Sequence, residues 1–132
     1  IPLLHIVDAA AEEIVKDSIK KIGLLGTSFT MEQTFFKDRL LYKHKIETII
    51  PNEKQRADIH RIIYEELVKG IINTDSRNVF LEIISDLMDK GAEGIILGCT
   101  EIELLITNEY TDVKLFKTAE IHAKKAVEFA LE

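Results

Sequence analysis

Four short apolar runs, Lys21 to Leu25, Ile46 to Ile50, Ile95 to Leu97 and Val113 to Phe116, are separated by segments whose apolar residues recur at helical spacing. Runs of this length that do not alternate with polar residues belong in a sheet covered on both faces, and helices between successive strands make that sheet parallel. A chain of 132 residues, 46% of them hydrophobic, can bury one core and no more. The expected fold is therefore α/β: a three-layer, mostly parallel sheet of about four strands flanked by helices.

The intervening segments set the order. Ile1 to Val7 reads as a further short strand with Pro2 near its beginning, and Asp8 as the cap of a helix from Ala9 to Lys20. Thr30 is placed to cap a helix from Met31 to His44, and Glu53 to Lys69 reads as a helix stopped by Gly70. Ser76 to Lys90, Glu101 to Thr107 and Ala119 to Leu131 complete the helices. Ile1 to Leu4 and Val113 to Phe116 each precede a helix, a faint internal echo. The first residue is not Met and the opening resembles a core strand, which suggests that sequence upstream has been lost.

Charge and composition exclude several classes. A net charge of −6 with scattered Lys and Arg leaves no concentrated basic face for nucleic acid. No run approaches the roughly 18 apolar residues of a membrane span. A single cysteine rules out an internal disulfide and favours the cytoplasm. His5, His44, His60 and His122 are scattered without ligand spacing, so no metal site is expected. The chain also lacks a Gly-x-Ser-x-Gly elbow and the lysine of a nucleotide-binding P-loop.

In a doubly wound sheet the loops at the carboxyl ends of the strands share one edge, where ligands bind. Three are small and polar, and two of them carry candidate chemistry. The first, Gly26 to Thr30, offers the hydroxyls of Thr27, Ser28 and Thr30 and the N–H groups opening a helix, a setting for a carboxylate or phosphate or simply for N-capping by Ser28 or Thr30. The second, Gly98-Cys99-Thr100-Glu101, places the lone thiol where strand gives way to helix. Helix N–H groups lower the pKa of Cys99, and Glu101 and Glu103 oppose them, so the net direction is open. A buried structural cysteine is the alternative. Glu103 also reads as a surface residue complementing the helix dipole, and Lys69 as an ordinary lysine at a helix end.

Three segments carry a resemblance: Gly23 to Glu32, His60 to Leu67, and Gly91 through Gly98-Cys99-Thr100-Glu101-Ile102. Together they resemble the cofactor-independent aspartate/glutamate racemase superfamily, most closely its aspartate racemase-like, broad-specificity branch. Glu101-Ile102 stands where the glutamate racemase branch usually has His-Tyr-Pro. The resemblance implies two pseudo-symmetric α/β lobes, each giving one cysteine to a PLP-independent transfer of the Cα proton. Cys99 would be the second of that pair. Thr27, Ser28, Thr30, Thr100 and Glu101 would surround a small amino-acid substrate, with Thr100 at the α-carboxylate and Lys69 at the distal one.

Two departures accompany the resemblance. The Cys-Asn-Thr motif of the first lobe does not occur in this sequence, and Lys117 stands where the family often has Asp. The chain is thus expected to comprise a strand-helix element at 1–20 bridging to a missing N-terminal lobe, a second lobe at 21–118, and a C-terminal helix at 119–132. Apolar stripes on the first and last of these would favour a homodimer. Hydantoin racemase, maleate isomerase, a decarboxylase of the same superfamily, a non-catalytic carboxylate- or anion-binding domain and a pure assembly module are the other readings.

Overall fold

The computed structural model describes residues 2–32, 34–118, 120–121 and 123–124. Its strands β1 (Lys21–Leu25), β2 (Glu47–Ile49), β3 (Ile95–Leu97) and β4 (Leu115–Lys117) form one parallel sheet in the order β2-β1-β3-β4. Around it lie α1 (Pro2–Lys16), α2 (Ser28–Glu32), α3 (Thr34–His44), α4 (Glu53–Glu65), a 3-10 turn (Leu67–Lys69), α5 (Thr74–Asp89) and α6 (Ile102–Leu105). This is the expected three-layer α/β fold.

Successive strand side chains point to opposite faces, and the two faces are covered by different helices. Ile22, Leu24, Ile96 and Phe116 pack with Val7, Ala11 and Ile14 of α1 and Phe36 and Leu40 of α3. Leu25, Ile95 and Leu97 pack with Ile59, Ile62 and Ile63 of α4 and Phe80, Ile83, Ile84 and Leu87 of α5. Gly23 is the small residue this second layer needs, since a Cβ there would lie 2.6 Å from Ile95 Cδ1 and 3.1 Å from Leu87 Cδ1.

Helix starts follow local chemistry. Asn52 and Gln55 form a reciprocal capping box at α4, and Asn73 caps α5 by accepting from the N–H groups of Asp75 and Ser76. Gly70, at φ 80°, ends the 3-10 turn in the left-handed conformation.

The beginning of the chain departs from expectation. Residues 2–7, read as a strand, belong to α1, while Ile1 lies outside the described residues. Pro2 occupies the first helical position, where its missing N–H costs nothing. The fully buried Val7, Ala10, Ala11 and Ile14 continue at helical spacing across the predicted boundary, so no change of period occurs at Asp8. Asp8 is consequently an interior helix residue and not a cap. The echo with Val113 to Phe116 falls with the strand, since one member is helical and the other contains β4. Of the apolar residues of α1, Val7, Ala11 and Ile14 are covered by α3 and the sheet, while Val15 is exposed. The predicted helix at 119–131 lies mostly outside the described residues, of which 120–121 and 123–124 are helical.

Asp8 instead joins α1 to α3. Its carboxylate accepts from Arg39 Nε and Nη2 at 3.1 and 3.0 Å, from Lys43 Nζ at 3.1 Å and from His44 Nε2 at 2.9 Å. The Arg39 hydrogen bonds above all hold the Asp8 carboxyl well below the usual carboxylate range. A group with a depressed folded pKa stabilises the protein above its unfolded pKa, near ~3.9, and loses that contribution as pH falls further. Because Arg39 and Lys43 keep partial solvent contact, Asp8→Asn is expected to cost only about 1–2 kcal/mol at neutral pH. Urea unfolding should show the deficit at pH 7 and a smaller one below about pH 4.

Candidate active site

The strand order places the site. The chain leaves β1 toward β2 on one side and leaves β3 toward β4 on the other, so the connections diverge between β1 and β3. Such a point opens a crevice outside the carboxyl ends of those strands. The loops there are Gly26 to Ser28 and Gly98 to Glu101, the two distinguished in sequence by their candidate chemistry.

Gly98 holds these loops together. Its N–H donates to Leu25 O at 2.7 Å, and a Cβ on it would stand 3.0 Å from that oxygen and 3.4 Å from Thr30 Cγ2. Any larger residue would push Cys99 away from the hydroxyl loop. The end of β4 is tied in by Thr118, whose buried hydroxyl donates to Leu97 O at 3.0 Å.

Within the first loop, Thr27 is the capping residue, correcting the expectation of Thr30 or Ser28. Thr27 Oγ1 accepts from the Thr30 N–H at 3.2 Å and lies 3.1 Å from Thr30 Oγ1, while Thr27 O accepts from the Met31 N–H. The Ser28 N–H donates to His60 Nδ1 at 3.1 Å. The Ser28 and Thr30 N–H groups at the start of α2 are therefore already engaged, and the loop adds the hydroxyls of Thr27, Ser28 and Thr30. The helix also divides, with α2 ending at Glu32 and α3 beginning at Thr34.

In the second loop, Cys99 is half-buried and donates from Sγ to Glu101 Oε2 at 2.8 Å, and Thr100 Oγ1 donates to the same oxygen at 3.1 Å. Burial, reinforced by the Glu101 hydrogen bond, pushes the Cys99 thiol up to about 11, against the lowering effect of the Glu101 and Ile102 N–H groups. Glu101 moves in the opposite direction, held below its usual value chiefly by the hydrogen bond from Cys99. The balance left open by the sequence thus falls on the side of a neutral thiol facing a carboxylate.

Glu103 is not the surface residue expected. Its Oε2 is buried without a partner among the described residues, and burial raises its pKa despite the opposing charge of Lys117. Lys69 is exposed, on the 3-10 turn that packs beside α6, and its side chain takes no part in the hydrogen bonds that unite Cys99, Thr100 and Glu101. An open cleft of about 410 Å³ lies elsewhere, along β4 between the end of α1 and residues 120–124. It contains Lys117 but not Cys99. No group of metal-ligating residues occurs among the described residues. No helix among them is long and apolar enough to cross a membrane.

His60 and Thr118 join the site although nothing in their local sequence marks them for it. His60 stands out only as part of a segment that carries the family resemblance, since its partner is 32 residues away and no local spacing announces it.

Fold, edge and thiol together define an α/β domain that carries a thiol and a hydroxyl loop at the β1–β3 ends. The model of the Asp/Glu/hydantoin racemase family matches residues 1–126, and the chain belongs to that family. A proposed Asp/Glu racemase from Yersinia pestis superposes with a TM-score of 0.92 at 49% identity, covering 98% of this chain and 56% of that one. An aspartate racemase homologue from Pyrococcus horikoshii superposes at 0.86 with 41% identity, covering 96% and 55%. A glutamate racemase from Hydrogenobaculum is 28% identical over 123 residues, which are 88% of this chain and 41% of the relative. The chain thus spans about half the length of the proteins it matches.

Labelling by iodoacetamide against pH is expected to give a midpoint near 11 for Cys99. Glu101→Gln should lower it toward, but not below, the ordinary thiol value of about 8.5, because burial remains. An unchanged midpoint would remove Glu101 from control of the thiol.

Proposed function

We propose that this chain is a proton-transfer lobe of a PLP-independent amino-acid racemase, acting on aspartate, glutamate or a broader range of amino acids. The observation that carries this reading is the position of Cys99 at the β1–β3 divergence, held by Gly98 against the loop of Thr27 and Thr30. Hydroxyls of Thr27, Ser28, Thr30 and Thr100 are suited to a substrate carboxylate, and Lys69, exposed on the 3-10 turn, is assigned to a distal one.

The chemistry follows from the state of the thiol. Racemisation breaks the Cα–H bond on one face, leaves the electron pair on Cα beside the carboxylate, and forms a new Cα–H bond on the opposite face. As it stands here, Cys99 is protonated and hydrogen-bonded, which makes it the donor of the new proton. The resulting thiolate is reprotonated in the next half-cycle. The base on the other face must come from outside this sequence, which has one cysteine. A first lobe of the same protein fits that role, and the proposed setting is a cytoplasmic homodimer.

The raised thiol pKa also favours a second reading, a non-catalytic carboxylate-binding domain with an inert Cys99. Deuterium exchange at Cα of aspartate, glutamate and homoserine separates the two. In a two-lobed protein containing this chain, Cys99→Ser is expected to lower racemisation by about 10²–10⁴-fold, the usual worth of a positioned acid or base. Undiminished racemisation would exclude the proposal. The isolated 132-residue chain should give negligible net racemisation.

A further inference from the structure

His60 of α4 accepts from the loop after β1, as Arg56 of the same helix donates to Glu32 at the end of α2, and no part of the proposed proton transfer uses His60. Its Nδ1 accepts the Ser28 N–H at 3.1 Å, so the ring bears its proton on Nε2 when the bond is made. The ring also stacks at a tilt on Tyr64, with centroids 4.5 Å apart. Ser28 opens α2, directly after Thr27, whose Oγ1 accepts the Thr30 N–H and lies 3.1 Å from the Thr30 hydroxyl, an arrangement that leaves one hydroxyl proton of the pair for a ligand. The loop's own bonds define its internal shape. The bond to His60 fixes that shape relative to α4, which is anchored in the core through Ile59, Ile62 and Ile63.

We infer that His60 is the positioning residue of the hydroxyl loop: by accepting the Ser28 N–H it holds Thr27, Ser28 and Thr30 in register with Cys99 for a substrate carboxylate. Its use in binding rests on the racemase-lobe reading above, whereas its hold on Ser28 does not. A five-residue helix has too few internal bonds to fix its own orientation, so an external acceptor at its first turn matters more here than at a long helix. Tyr64 restricts the ring, and the acceptor nitrogen holds the loop.

The test separates acceptor from packing. His60→Ala removes both, and His60→Asn restores an acceptor at the position of Nδ1 without a ring to stack on Tyr64. Amide exchange of Ser28 by NMR in the full chain should quicken about three- to tenfold in His60→Ala, the worth of one hydrogen bond, and return close to wild type in His60→Asn. Titration with L-aspartate, followed at the Thr27 and Thr30 amides, should show affinity falling by a similar factor in His60→Ala and recovering in His60→Asn. Unchanged Ser28 exchange in His60→Ala, equally fast exchange in both variants, or equal aspartate affinity in both would overturn the inference. Wild-type amides unmoved by aspartate would count against the racemase-lobe reading, and Ser28 exchange would still decide whether His60 holds the loop.

Discussion

The pairing of β1 with β3 is the constraint on which the rest of the molecule depends. It sets Gly23 against Ile95 and Leu25 against Leu97, and it brings the two strand ends level. Gly98 then extends the pairing by one more hydrogen bond to Leu25 O, at a separation that leaves no room for a side chain. Two loops about 70 residues apart in sequence thereby become neighbours. With β2 and β4 on the outer sides, the connections diverge and leave the edge above β1 and β3 open. In the proposed two-lobed protein, a second lobe would face this edge.

What the edge contains is a thiol under opposing influences. Backbone N–H groups at the start of α6 draw Cys99 toward the thiolate, while burial and Glu101 draw it toward the thiol, and the second pair prevails. The carboxylate is stabilised by the same hydrogen bond that neutralises the sulfur. In the proposed racemase lobe, that pair would supply the proton for a carbanion on Cα. In the first loop the Ser28 N–H is held by His60 and the Thr30 N–H by Thr27, beside the hydroxyls of Thr27 and Thr30.

Most of the fold was legible because buried parallel strands and amphipathic helices write different periods into sequence. β1, β3 and α5 are unambiguous for this reason. Residues 2–7 misled because a short apolar run containing proline suits a strand start and a helix start equally, and only burial of Val7 together with Ala10, Ala11 and Ile14 distinguishes them. Cys99 was legible from its place between β3 and α6. The direction of its pKa was not, since it depends on where the Glu101 side chain turns. Nor was His60, whose partner is set by the packing of α4 beneath α2.

The most direct measurement is a crystal structure of the chain grown with L-aspartate. A half-site of this kind predicts the amino acid at the β1–β3 edge, its α-carboxylate on the Thr27, Thr30 and Thr100 hydroxyls and its Cα within about 4 Å of Cys99 Sγ, roughly van der Waals contact. Aspartate seated instead in the lysine-lined cleft beside β4, with the Cys99 edge empty, would contradict it.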